Sequence, residues 1–172
     1  MSRAFVKELD GDEHPETLPP RLVSPHPNYV TPQGLEQLDR QIAELKAEWR
    51  KLRKAETLES RRQLAEVQRD LDYFQNRRES ALLVPVEAHP EAVRFGGTVT
   101  VAEDEDERTF SIVGEDEADP EQGRVSWTSP LAKAVHGARV GDLRIWQRPK
   151  GNLELEILEI AGNHMPLSGP PS

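Results

Sequence analysis

The stretch Leu35-Glu-Gln-Leu38-Asp-Arg-Gln-Ile42-Ala-Glu-Leu45-Lys-Ala-Glu-Trp49-Arg-Lys-Leu52, answered by Leu64-Ala-Glu-Val67-Gln-Arg-Asp-Leu71-Asp-Tyr-Phe74, decides the fold. Its apolar residues step by 3, 4, 3, 4 and 3 in the first run and by 3, 4 and 3 in the second. That alternation keeps them on one stripe of a helix, as in the seam of a coiled coil. A helix with so narrow a stripe is marginal alone, so the two must cover each other. The short break between them favours an antiparallel hairpin within one chain over a helical dimer.

Thr31 can cap the first helix, and Pro32 suits its first position because a missing N–H there costs nothing. The first helix is expected to run to about Lys54. The second is expected from about Leu58 to about Leu83, ahead of Pro85. Arms of about 24 residues are about 36 Å long. Around the tip between them, Arg50, Lys51, Arg53, Lys54, Arg61 and Arg62 crowd about the acids Glu56 and Glu59. If the tip begins the second helix, these acids share one face. They could then contribute ligands to a divalent cation, though a site for Mg²⁺ needs more. The plainer reading is that they are helix-start acids complementing the dipole. The cations could meet nucleic acid phosphates or be solvated flanks.

Outward from the hairpin the chain changes character. Residues 1–28 carry Pro15, Pro19, Pro20, Pro25 and Pro27 among acids, which predicts an extended or disordered arm. Residues 29–84 hold the hairpin. From Pro85 the period shortens to two. Thr98–Val101, Arg108–Val113, Arg124–Thr128, Asp142–Trp146 and Leu153–Leu158 read as strands separated by turn residues. Ser129-Pro130 opens one short helix. The expectation is an α+β chain: a hairpin, an antiparallel β domain over 85–161 with one short helix, and a loose tail over 162–172.

Composition narrows the function. The chain has 172 residues, 31% of them charged, no cysteine and a net charge of −9. The charge is uneven: −2 over residues 1–30, +1 over 31–84 and −8 over 85–172. The acidic domain is a poor partner for nucleic acid phosphates on its own. The absence of thiols, and of any apolar leader or run long enough for a bilayer, predicts a soluble cytoplasmic protein. Metal, nucleophile and phosphate-loop chemistry find no support. His14, His26, His89, His136 and His164 are scattered, Ser129 lacks an elbow motif, and Gly96-Gly97 stands alone. Phe95, Phe110, Trp127 and Trp146 read as core residues and not as the lining of a ligand pocket.

Two motifs then carry a family resemblance. Phe110-Ser-Ile-Val-Gly-Glu-Asp-Glu-Ala-Asp119 and Val125-Ser-Trp-Thr-Ser-Pro-Leu-Ala-Lys-Ala134 resemble the bacterial GreA/GreB transcript-cleavage factors. Phe95-Gly-Gly-Thr-Val-Thr-Val101, Val140-Gly-Asp142 and Tyr29-Val-Thr-Pro-Gln-Gly-Leu35 extend the match over about residues 29 to 160. The resemblance implies an FKBP-like C-terminal domain and binding of a monomer at the RNA polymerase secondary channel. Ser129, Pro130 and Leu131 would be the docking segment. Such a factor is no enzyme on its own and has no cofactor of its own. Its tip acids serve the Mg²⁺ of the polymerase during cleavage of backtracked RNA.

The chain departs from the family at Thr128, where an acid often precedes Ser-Pro. It departs again at the tip, where Glu56-Thr-Leu-Glu59-Ser60 replaces an Asp-Leu-x-Glu-Asn-like motif. Its arms are also about two turns shorter, on the order of 10 Å. Two readings therefore stand. One is a channel-binding elongation factor that stimulates cleavage. The other is a short-hairpin regulator without cleavage, competing for the channel or acting on another partner such as nucleoside diphosphate kinase.

Overall fold

A computed structural model describes residues 17–162. Residues 1–16 of the expected arm, and the tail beyond Gly162, lie outside the described residues. The order is β1 (Tyr29–Val30), α1 (Pro32–Ala55), α2 (Leu58–Glu79), β2 (Leu82–Leu83), β3 (Thr98–Glu103) and β4 (Asp106–Val113). Two 3₁₀ turns follow, Glu115–Glu117 and Pro120–Gln122. Then come β5 (Arg124–Ser126), α3 (Pro130–Val135), β6 (Leu143–Trp146) and β7 (Leu153–Ala161).

The hairpin forms as its seam requires. Leu45, Val67 and Leu71 are buried between the arms, and Ile42, Trp49, Leu52 and Phe74 pack on them. Thr31 Oγ1 accepts the N–H of Gly34 at 3.0 Å, the expected cap, and Pro32 holds the first position. The expected C-terminal end of α2 is corrected. The helix stops at Glu79, where the Ser80 hydroxyl donates to the Asn76 carbonyl at 2.9 Å. Leu82 and Leu83 instead pair in parallel with Tyr29 and Val30. The chain thus enters and leaves the hairpin side by side.

The second unit is a five-stranded sheet in the order β5-β4-β3-β7-β6. The expectation of a purely antiparallel sheet is also corrected. Three pairings are antiparallel, but β4 and β5 run parallel from Ser111↔Arg124 to Val113↔Ser126. The residues 114–123 connect them by swinging out through the two 3₁₀ turns, which leaves room for β5 to return in the same direction. Alternation sorts the faces. Val99, Val101, Phe110, Ile112, Leu155 and Ile157 point into the core with Leu131, Ala132 and Val135 of α3. On the other face Thr98 pairs with Ser111, and Thr100 with Thr109, through their hydroxyls.

A buried carboxylate joins the two units. Glu117 is 6% exposed, yet its charge is satisfied. It accepts the backbone N–H of Thr31 and of Gly114, each at 3.1 Å, and the Thr31 hydroxyl donates to it as well. Gly34 permits this approach, because a Cβ there would overlap the Glu117 carboxylate. Gly34→Ala should therefore cost about 2–3 kcal/mol through crowding and a displaced buried charge. A urea melt unchanged from wild type would show that Glu117 shifts without loss.

Candidate functional site

The tip is a two-residue connection. Glu56 caps the end of α1 in the left-handed region (φ 49°, ψ 24°), and Thr57 caps the start of α2. Thr57 Oγ1 accepts the N–H of Ser60 at 3.0 Å, and Ser60 Oγ accepts the N–H of Thr57 at 2.8 Å. This reciprocal box closes the turn and buries Ser60, which is 5% exposed. Glu59 lies in the first turn of α2, where its carboxylate suits the helix dipole and accepts from Gln63 Nε2 at 3.2 Å. Glu56 lies outside α2, so helical spacing does not place the two acids on one face. Both are exposed at the far end of the hairpin.

Left-handed backbone at a non-glycine residue costs about 1–2 kcal/mol. Glycine would cap α1 more cheaply, so an acid is held where it is not structurally preferred. No group of three or more metal-ligating side chains occurs among the described residues. Glu56 and Glu59 can therefore add ligands to a metal held elsewhere, but do not make a full octahedral site. Arg50, Lys51, Arg53, Lys54, Arg61 and Arg62 are all exposed around them, and Arg53 rides over the Trp49 ring at 5.0 Å.

The Ser-Pro segment sits in the other unit. Ser129 Oγ accepts the N–H of Ala132 at 3.2 Å and so caps α3, while Pro130 is exposed at its first position. Leu131, expected in the docking segment, is 4% exposed and belongs to the core, because α3 turns that side onto the sheet. A contact surface here consists of Ser129, Pro130 and the exposed Lys133.

What aims the tip relative to α3 was not apparent from local pattern. Arg77, near the end of α2, is 2% exposed. Its Nε donates to Asp116 Oδ2 at 2.5 Å, and its Nη2 lies 3.8 Å from Glu115 Oε2. Tyr73, one turn earlier, donates its hydroxyl to Asp116 Oδ1 at 2.7 Å. Arg21 of the incoming chain covers the Tyr73 ring at 3.9 Å and pairs with Asp70 at 3.6 Å. Ser24 donates to Glu115 at 3.0 Å, and His26 meets the Trp127 ring edge-on at 5.8 Å. So Glu115, Asp116 and Glu117 bind the base of both arms. The available signal was three consecutive acids after Val113-Gly114, with a lone arginine pair closing a helix.

Residues 87–162 match the family profile described as transcription elongation factor, GreA/GreB, C-terminal. Transcription elongation factor GreB of Neisseria meningitidis serogroup B is 32% identical over 151 residues, covering 77% of this chain and 93% of that protein. Transcription elongation factor GreA of Hyphomonas neptunium is 49% identical over 70 residues, 40% of this chain and 45% of that protein. Among solved structures, GreA factor homolog 1 of Thermus thermophilus covers 80% of this chain and 100% of its own at 21% identity, with a TM-score of 0.38, too loose a superposition to bear weight.

Burial, then the hydrogen bond and charge of Asp116, push the Tyr73 hydroxyl from its ordinary 10.0 up to about 12, against the pull of Arg77 and Arg21. The fold thus favours the neutral phenol. Its stabilisation is complete below pH 10.0 and is lost as pH rises from there through about 12. The stability advantage of wild type over Tyr73→Phe should shrink across that window in alkaline melts. Parallel pH profiles for the two proteins would show that the phenol does not titrate at this junction.

Proposed function

From the premise that this chain belongs to the GreA/GreB family, we propose that it is a transcription elongation factor that acts through RNA polymerase and performs no chemistry alone. In this reading the C-terminal unit, FKBP-like in kinship, docks as a monomer on the rim of the polymerase secondary channel in the cytoplasm. The exposed end of α3 at Ser129 and Pro130 makes the contact. The hairpin then enters the channel tip-first.

One observation carries the reading: the tip presents Glu56 and Glu59 at the end of a basic lever, with Glu56 in a backbone state that favours glycine. The polymerase supplies Mg²⁺. Glu56 and Glu59 would add oxygen ligands to that ion or orient water beside it, and the ion, when bound, would supply activation of water for phosphodiester hydrolysis. The arginines and lysines around the tip lie against RNA phosphates, which makes binding weaken with salt. Placement is demanding, because an Mg²⁺–oxygen bond is about 2.1 Å long. The arms of 24 and 22 residues support a second reading, occupancy of the channel without cleavage.

A backtracked elongation complex with 3′-labelled RNA, purified polymerase and Mg²⁺ separates them. Release of short 3′ fragments is expected, together with its loss in Glu56→Ala/Glu59→Ala and unchanged binding. Binding without release selects the second reading. For the dock, Pro130→Asp should weaken polymerase affinity at least about tenfold, or ~1.4 kcal/mol. No binding by wild type would overturn both readings and leave another partner to be found.

A further inference from the structure

Between α2 and the incoming residues 17–23 runs an open groove of about 1180 Å³. Its walls are apolar: Leu18 and Val23 on one side, Trp49, Leu58, Leu64 and Ala65 on the other. Leu58 is 84% exposed and Val23 48% exposed, so this apolar surface lies open beside the tip. Arg61, Arg62 and Arg69 line its hairpin side. A contiguous apolar patch with a charged border marks a place where something binds.

We propose that the occupant is the chain's own residues 1–16, seated along α2 toward the tip. Three features select them. Thr17, the first described residue, is part of the groove wall, so the groove begins where the described chain does. The composition is complementary: Phe5, Val6 and Leu9 match the walls, while Glu8, Asp10, Asp12, Glu13 and Glu16 match the arginines. The reach is sufficient. Sixteen extended residues span at most roughly 55 Å, whereas α2 from Asn76 to Leu58 measures about 27 Å.

Individually such exposed ion pairs are weak. Tethering compensates, because a segment held at the groove mouth has an effective concentration in the millimolar range. Seated there, the acids lie over the arginine flank beside Glu59. Residues 1–16 then compete with any anionic partner for the tip. The docking is independent of what the hairpin enters, so it stands or falls apart from the polymerase reading.

The absence of cysteine allows a direct test on the full chain. Leu9→Cys with Gln68→Cys places one thiol in the segment and one in the groove. Leu9→Cys with Lys133→Cys on α3 serves as the control. Under mild oxidation of dilute protein, the groove pair should close an intrachain disulfide at least about tenfold faster than the control, as tethered contact requires. Amide exchange over residues 58–72 should also quicken in a chain lacking residues 2–16. Equal closure rates, or unchanged exchange, overturn the proposal. Disulfide-linked dimers in place of intrachain closure overturn it too, and assign the groove to a second copy.

Discussion

Two charges buried at one short turn govern this structure. Glu117 and Arg77 have left water, and a buried charge persists only where its hydrogen bonds are met. Each meets them across the boundary between the two units. Glu117 belongs to the 3₁₀ turn after β4 and closes the start of α1 at Thr31; Arg77 belongs to α2 and is closed by Asp116 of the same turn. Both ends of the hairpin are therefore fastened to the same three residues. The tip lies about 36 Å away, so a tilt of about 10° at the base would move it by about 6 Å. The base therefore sets the aim of the tip.

The tip solves a different problem. A hairpin must reverse direction with few residues and still satisfy the orphan groups at two helix ends. Thr57 and Ser60 do so by capping each other, so the turn closes without the carboxylates: Glu56 caps α1 through its backbone, and Glu59 meets only the helix dipole and Gln63. Ser60 stands where the family pattern has an Asn-like residue, and its buried hydroxyl shows it as a turn-closing residue.

The seam was legible because both arms repeat it and nothing distant overrides it: Leu45, Val67 and Leu71 meet as their spacing implies. The end of α2 was not, since Leu82 and Leu83 look like more apolar helix until Tyr29 and Val30 pair with them from 53 residues away. Strand direction in β5 was hidden for a related reason, because alternation gives the faces of a strand and not the sense of its neighbour. Leu131 follows Ser-Pro in the motif, but a helix of six residues can bury only one side, and Leu131 is on it. The Glu115-Asp116-Glu117 run was visible as a family signature, while its work depended on partners 39 and 86 residues away.

The parallel pairing of β1 with β2 has a consequence for how such probes diversify. Entry and exit are stitched together at the root, so the hairpin is a closed excursion from the chain. Matched heptads can be added to or removed from both arms without disturbing either the stitch or the acidic turn beneath it. Reach and attachment are then separate traits. One root of this kind suffices for a whole series of probe lengths, each tuned to a different depth, with no redesign of the unit that holds it.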